Sequence, residues 1–512
     1  MRPALLLLAS LLCATHTFAA GSGERSIAEL QQELAKGRTS SAALVREFTS
    51  RIDAIDRRGP QLKSVLALNP RAMEQARQLD RERNEKGPRG PLHGIPILLK
   101  DNIESLDPLP TTAGSLALID NVTGRDAPVV ASLRAAGAVI LGKTNLSEWA
   151  NFRSTPSISG WSAVGGLTKN PHVLDRSACG SSSGSAVAVA AGLAMASVGT
   201  ETDGSIVCPA AMNGIVGLKP TLGLLSGERI VPIAHSQDAP GPMTRSVADA
   251  ALMLAAMVDS QEACRARESR CRVSDYVAAT TVTSLAGKRI GVLRFRKGRW
   301  PRIEVTYDQA LAHLRDAGAT LIEVELPDED PIESAEGVVF ITEFRVDLNR
   351  YLATTAPAVK VRDLAQLIQF NRTNPRELAL FGQELFERSE AAAEQDPAVY
   401  REALAASKRL ATEGLDGLLR GQKLDFLVAP TAGAAWRIDL VNGDHFPGSF
   451  STFAAVAGYP HLTVPMGTVR QLPIGISFIG SPWAEAELLA AGAVFERRAR
   501  VRVMPGFVES VD

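Results

Sequence analysis

The sequence predicts an α/β fold built as a single large domain, and three observations predict it. Between residues 91 and 145 short apolar runs alternate with helical patterns, the rhythm of strands packed under helices. From Ser185 to Met195 nearly every residue is Ala, Val or Gly, apolar on all faces, as a fully buried helix is. No internal repeat and no low-complexity linker divides the chain, so the mainly helical region of about 260–420 reads as a lobe on a common sheet.

Taken in chain order, the first nineteen residues read as a signal peptide. Arg2 is a positive start, Ala4 to Leu12 a short apolar run, and Thr17-Phe18-Ala19-Ala20 a small-residue cleavage site, with the cut after Ala19 because Phe18 is too bulky three residues before a cut after Ala20. The apolar run is far below the roughly 20 residues a spanning helix needs. The expected mature protein, residues 20–512, is therefore exported to the periplasm or beyond, with no membrane segment. Ser26-Ile27-Ala28-Glu29 has the form of a capping box opening an amphipathic helix, and a second helical pattern runs from about Ala42 to Ile55. Gly94 to Leu99 and Ala138 to Leu141 read as strands around a helix from Val129 to Ala136. Further on, Lys288–Leu293 and Thr320–Val324 read as strands flanking a helix from Asp308 to Ala317, and Leu424–Thr431 as another strand.

With 45% hydrophobic and 22% charged residues, the composition is that of a globular protein with a large core, which excludes a disordered or fibrous chain. The 55 basic residues against 56 acidic ones leave a formal charge of -1, so nothing in the bulk electrostatics draws the protein to nucleic acid or anionic lipid. A small, nearly neutral substrate suits that balance. Four cysteines remain after the leader. Cys264 and Cys271 sit in a polar segment and, in an oxidising compartment, are expected to close a small disulfide loop; a zinc site lacks the ligand count. The redox state of Cys179 and Cys208 is left open.

Three segments bear on chemistry. Pro91-Leu92-His93-Gly94-Ile95-Pro96-Ile97-Leu98-Leu99-Lys100-Asp101-Asn102 ends an apolar strand on a lysine. In such surroundings the cation is disfavoured and the amine can become a base, although a lysine snorkelling to the surface or paired to Asp101 is the plainer reading of this segment alone. Cys179-Gly180-Ser181-Ser182-Ser183-Gly184-Ser185 is a Gly/Ser-rich loop feeding the Ala-rich helix, whose N–H groups can hold a reacting oxygen. It has neither the phosphate-loop nor the dinucleotide spacing. In Gly199-Thr200-Glu201-Thr202-Asp203-Gly204-Ser205-Ile206-Val207-Cys208-Pro209, Gly204 permits a tight turn that can aim successive N–H groups beside the Ser205 hydroxyl.

Together and in this order the three segments resemble the amidase signature family of serine hydrolases: Lys100 in Gly-Ile-Pro-x-x-x-Lys-Asp, Ser181 in Gly-Ser-Ser-x-Gly-Ser and Ser205 in Asp-Gly-Ser-Ile. Further matching segments are Gly142-Lys143-Thr144-Asn145, Gly214 to Thr221, Ser236 to Pro242, Ala457-Gly458-Tyr459-Pro460 and Val464-Pro465 to Gly475, so the resemblance spans nearly the whole mature chain and is strongest over 90–250. It implies one large domain with a mixed central sheet covered by helices. It further implies that Ser205 attacks an amide carbonyl while Ser181 relays its proton to a neutral Lys100, and that the oxyanion sits against the N–H groups of Thr202, Asp203 and Gly204. A cis peptide before Ser181 is also implied. No cofactor or metal is needed. Cys179 and Ser183 stand where the family commonly has glycine. A Ser-His-Asp triad is disfavoured, because only seven histidines exist and Gly-x-Ser-x-Gly does not surround Ser205; His93 and His235 read as structural.

Within the family, Lys143 to Phe152, Ser157 to Ser162 and Gly199 to Ser205 resemble the peptide amidase branch, which removes ammonia from the C-terminal carboxamide of peptides. That resemblance implies that Ala150 and Asn151 lie near the pocket wall, and Trp149 and Trp161 are candidates for its entrance. The expected partner is thus a small-molecule or peptide amide, with no obligatory protein partner. Three alternatives stand beside this reading. One is an amidase of small aliphatic, aryl or fatty amides. Another is a protein like the A component of glutamyl-tRNA amidotransferase, against which the export signal argues. The last is a non-catalytic binding protein, for which an intact triad has no evident use.

Overall fold

The computed structural model describes residues 25–258, 272–295 and 300–511. The expected leader and the Cys264–Cys271 pair lie outside them. The capping box forms as expected: Ser26 Oγ accepts the Glu29 N–H at 3.2 Å, Glu29 Oε2 accepts the Ser26 N–H at 2.7 Å, and the helix Ile27–Ala35 follows. The second helical pattern is an α-helix, Ser41–Arg51, that continues as a π-helical turn, Ile52–Arg58.

The strands, in chain order, are β1 (Val65–Leu68), β2 (Pro96–Lys100), β3 (Val139–Thr144), β4 (Trp161–Ser162), β5 (Gly166–Leu167), β6 (Ala196–Glu201), β7 (Val216–Lys219), β8 (Ala239–Thr244), β9 (Arg289–Val292), β10 (Thr320–Glu323), β11 (Phe426–Pro430), β12 (His461–Val469) and β13 (Leu472–Ile479). Eleven of them make one sheet in the order β1-β3-β2-β6-β8-β7-β12-β13-β11-β9-β10, while β4 and β5 form a small hairpin. Strands β3, β2 and β6 run parallel, as do β11, β9 and β10; the pairings between these two groups are antiparallel. This is the mixed sheet the sequence led us to expect, in a single domain with helices covering the sheet.

Pairing is continuous because the central strands are buried at every residue, so no backbone polar group there can turn to water. The lobe beyond β10 is helical, with Asp330–Leu352, Leu364–Thr373, Glu384–Ala391 and Pro397–Leu419, and its Phe344, Leu348 and Phe386 share an apolar core with Leu118, Trp149 and Ile233. The Ala-rich helix is shorter than its composition suggested. It spans Ser183–Ala190 and stops because Gly192 takes φ +65, a left-handed conformation that closes the last turn. Among the described residues no helix is long and apolar enough to cross a membrane.

Candidate active site

The parallel strands β2 and β6 are hydrogen-bonded neighbours, and both deliver functional groups at the end of the strand. Lys100, the last residue of β2, is fully buried. Its Nζ lies 2.7 Å from Ser181 Oγ, 2.8 Å from Thr200 Oγ1 and 3.2 Å from the Thr200 carbonyl. Burial, partly opposed by Asp238 and Glu201, brings its pKa down to about 7. Asp101 does not pair with it. Successive residues of a strand face opposite ways, and Asp101 turns to Lys143 Nζ at 3.3 Å and to Thr112.

Three acceptors around Nζ match the three donors of an ammonium; a neutral amine gives two N–H groups to Thr200 and turns its lone pair to Ser181. The pocket thus accommodates both protonation states without rearrangement.

Ser181 follows a cis Gly180–Ser181 peptide, as the family resemblance implied, and is itself buried. Its carbonyl accepts the Ser147 N–H at 3.1 Å, while Ser182 Oγ donates to the Thr200 carbonyl at 3.0 Å and accepts the Thr200 N–H at 3.2 Å, which locks the loop to β6. The Ser182 N–H meets the Ser205 carbonyl at 3.1 Å, so the loops bearing the two serines adjoin.

Ser205 is only partly buried, in reach of a substrate, between the turn 202–204 and the helix Val207–Met212. Gly204 has φ +74, where any side chain would be strained and a Cβ would lie 3.1 Å from Ser451 Oγ. Glu201 Oε2 accepts the N–H groups of Ile206 at 2.7 Å and Val207 at 2.9 Å, fixing the chain just after Ser205. Thr202 Oγ1 donates to Asp238 Oδ1 at 2.6 Å, and Asp238 Oδ2 takes the N–H groups of Ile233 and Ala234. Burial holds the Asp238 carboxyl up at about 6. The N–H groups of Thr202, Asp203 and Gly204 have no acceptor among the described residues. A preorganised set of unpaired amides beside a serine is what a developing oxyanion requires.

Beside these groups lies a small pocket lined by Asn102, Ala150, Thr200, Thr202, Ile233 and Asp238 among others. Ala150 therefore stands in the wall. Asn151 is not among its lining residues; its amide donates to Ser159 Oγ at 3.2 Å. The structure also corrects the reading of the two tryptophans as entrance surfaces: Trp149 packs edge-on against Phe386 and Trp161 against Phe381, at 2% and 8% exposure. Both rings fill apolar cores instead.

Cys179 and Cys208, left open by the sequence, are joined in a disulfide. His93 bonds the Leu79 carbonyl and the Arg89 N–H, and His235 bonds Asp347, in keeping with structural roles. Thr200, Glu201 and Asp238 are the functional neighbours that sequence reasoning did not assign. All three sit inside the motif segments, and a hydroxyl or carboxylate within a buried strand or turn is itself a signal, since such a group needs a partner.

A family model described as Amidase matches residues 43–489. The chain is 49% identical to the native peptide amidase of Stenotrophomonas maltophilia, with a TM-score of 0.90, covering 95% of this chain and 99% of that one. It is 37% identical to a probable amidase of Arabidopsis thaliana over 95% of this chain and 92% of the relative. Against the A component of the glutamyl-tRNA(Gln) amidotransferase of Moorella thermoacetica the identity is 34%, over 92% of this chain and 95% of the relative. The match over most of its length, together with a fold shared with solved amidases, makes this chain a member of the amidase signature family and an amide-hydrolysing enzyme.

Proposed function

We propose that the enzyme releases ammonia from the C-terminal carboxamide of peptides, through an acyl-enzyme on Ser205. The observation that carries the mechanism is the buried Lys100 Nζ at 2.7 Å from Ser181 Oγ. With its pKa near 7, about half of the lysine is a neutral base at neutral pH. As Ser205 Oγ attacks the carbonyl carbon, its proton passes to Ser181 and the Ser181 proton passes to Lys100. The oxyanion is held by the N–H groups of Thr202, Asp203 and Gly204. Collapse breaks the C–N bond while Ser181 protonates the departing nitrogen and regains a proton from Lys100. Water then repeats the cycle on the ester, giving the free acid. No step calls for a metal or cofactor.

The substrate class is supported by the 49% identity to peptide amidase over nearly the whole chain. One short peptide is to be incubated in its amide and acid forms, with products read by mass and by ammonia assay. The amide should become the acid with no shorter fragments. Rapid turnover of fatty or aryl amides beside untouched peptide amides would reject the peptide assignment. The amidotransferase-like reading rests on the 34% relatives and predicts dependence on further protein chains, so a single-chain gel-filtration peak carrying full activity would reject it. We propose further that the enzyme works after export, with residues 1–19 removed.

A further inference from the structure

The Cys179–Cys208 disulfide joins the two loops that carry the serines: Cys179 stands two residues before Ser181 and Cys208 three residues after Ser205. Both cysteines are buried, at 4% and 2% exposure, among Val173, Met212, Trp436 and Leu472. Apolar side chains of that kind disfavour a charged thiolate, so the pair is suited to a bond rather than to chemistry at sulfur.

Serine makes the site unusually dependent on loop position. A lysine or arginine can swing along a long side chain, but a serine hydroxyl has one short rotor, so any shift of one loop relative to the other passes directly into the distance between Ser181 Oγ and Ser205 Oγ. Hydrogen bonds also span this junction: Ser182 N–H to the Ser205 carbonyl at 3.1 Å, Asn213 Nδ2 to the Ala178 carbonyl at 2.9 Å, and the pair between Ser182 Oγ and the Thr200 backbone. None of them acts at Cys179 itself, where φ is +55. The disulfide is the covalent tie at that point.

We propose that Cys179 and Cys208 are positioning residues of catalysis: their disulfide holds the relay serine against the nucleophile, and the chain reaches full turnover only once it has folded with this bond closed. Closing it takes two electrons and two protons from the two thiols to an external disulfide oxidant, so a reducing compartment would leave the enzyme folded but slow. This inference rests on the reading of Ser181 and Ser205 given above.

Cys179→Ala/Cys208→Ala and Cys179→Ser/Cys208→Ser tests it in the full-length enzyme. Turnover of a short peptide amide is measured per active site titrated with a fluorophosphonate, so that misfolded protein does not count. We expect kcat per site to fall about tenfold with KM within about twofold, since small misplacements of reacting groups cost rate rather than binding. A merely structural bond would lower Tm and leave kcat per site unchanged, and that result overturns the proposal, as does a change confined to KM. If neither variant folds, wild-type enzyme folded in the presence of a dithiol, with Cys179 and Cys208 shown by alkylation and peptide mass to be free, is read by the same criterion. Ser205→Ala is the parallel control. Full activity in Ser205→Ala rejects the nucleophile itself, whereas an inactive Ser205→Ala beside fully active cysteine variants rejects only the role of the disulfide.

Discussion

Burial changes the chemistry open to Lys100, the base of the proposed mechanism. Its pKa near 7 means that the working, neutral form is lost as pH falls through about 7, so kcat/KM should rise with pH across that value, and a profile flat from pH 6 to 8 would contradict the base assignment. Lys100→Ala should cost about 10²–10⁴-fold, and Lys100→Arg should do no better, because a guanidinium cannot accept a proton at working pH. Stability runs with pH in the same direction. Between about 7 and about 10.4 the unfolded chain carries a proton on this lysine that the folded chain lacks, so the fold gains stability as pH rises through that window. Lys100→Met should therefore be inactive yet melt no lower than wild type at pH 6, as calorimetry would show. The sequence revealed the lysine through its motif but not its burial. Alone, the segment reads equally as a snorkelling lysine or a partner of Asp101; what removes both readings is the third dimension, in which Thr200 encloses Nζ and Lys143 occupies Asp101.

Among the elements, the turn bearing Ser205, the proposed nucleophile, depends on Glu201, whose single oxygen takes two N–H groups. Glu201→Ala leaves both donors buried and unpaired, at a cost of roughly 2–4 kcal/mol, and should depress both Tm and kcat. Glu201→Gln keeps an oxygen there and should retain most of both; equal loss in the two variants would contradict the clamp. Gly184 tests the docking of the helix Ser183–Ala190. Alanine is the better helix former by about 1 kcal/mol. Here, however, its Cβ would meet the Ser64 carbonyl oxygen at 2.4 Å and the Asn145 carbonyl oxygen at 2.5 Å, backbone atoms that cannot swing aside. Gly184→Ala should therefore destabilise by about 1–3 kcal/mol, and an unchanged melting curve would show that the helix can shift. Strands with clear apolar runs were legible to within three residues, β3 running on to Thr144 beyond its apolar run. Strand β8 was not, because Pro240 and Pro242 donate no hydrogen bond and read as breakers. The sheet tolerates them because β7 pairs with β8 only at Met243 and Thr244, beyond both prolines.

For the whole molecule, alternating strands and helices announced an α/β domain, and the lobe after β10 followed from composition. The antiparallel middle of the sheet did not follow from local pattern, since β8 meets β6 and β7, and β12 meets β7, through long connections that carry no periodicity of their own; only β12 and β13 are joined by a tight hairpin. The pairing of Cys179 with Cys208 was hidden for the same reason, being a contact across 29 residues. The proposed export is tested by N-terminal sequencing of enzyme recovered from a bacterial periplasm, which should begin at Ala20; a start at Met1 would refute the cleavage. Whether Ser205 is the nucleophile, driven through Ser181 by Lys100, is decided by reacting the enzyme with a fluorophosphonate and mapping the adduct by peptide mass spectrometry. One adduct is expected, on Ser205, absent in Ser205→Ala and slowed by orders of magnitude in Lys100→Ala; an adduct on another residue, or undiminished labelling without Lys100, would overturn the mechanism.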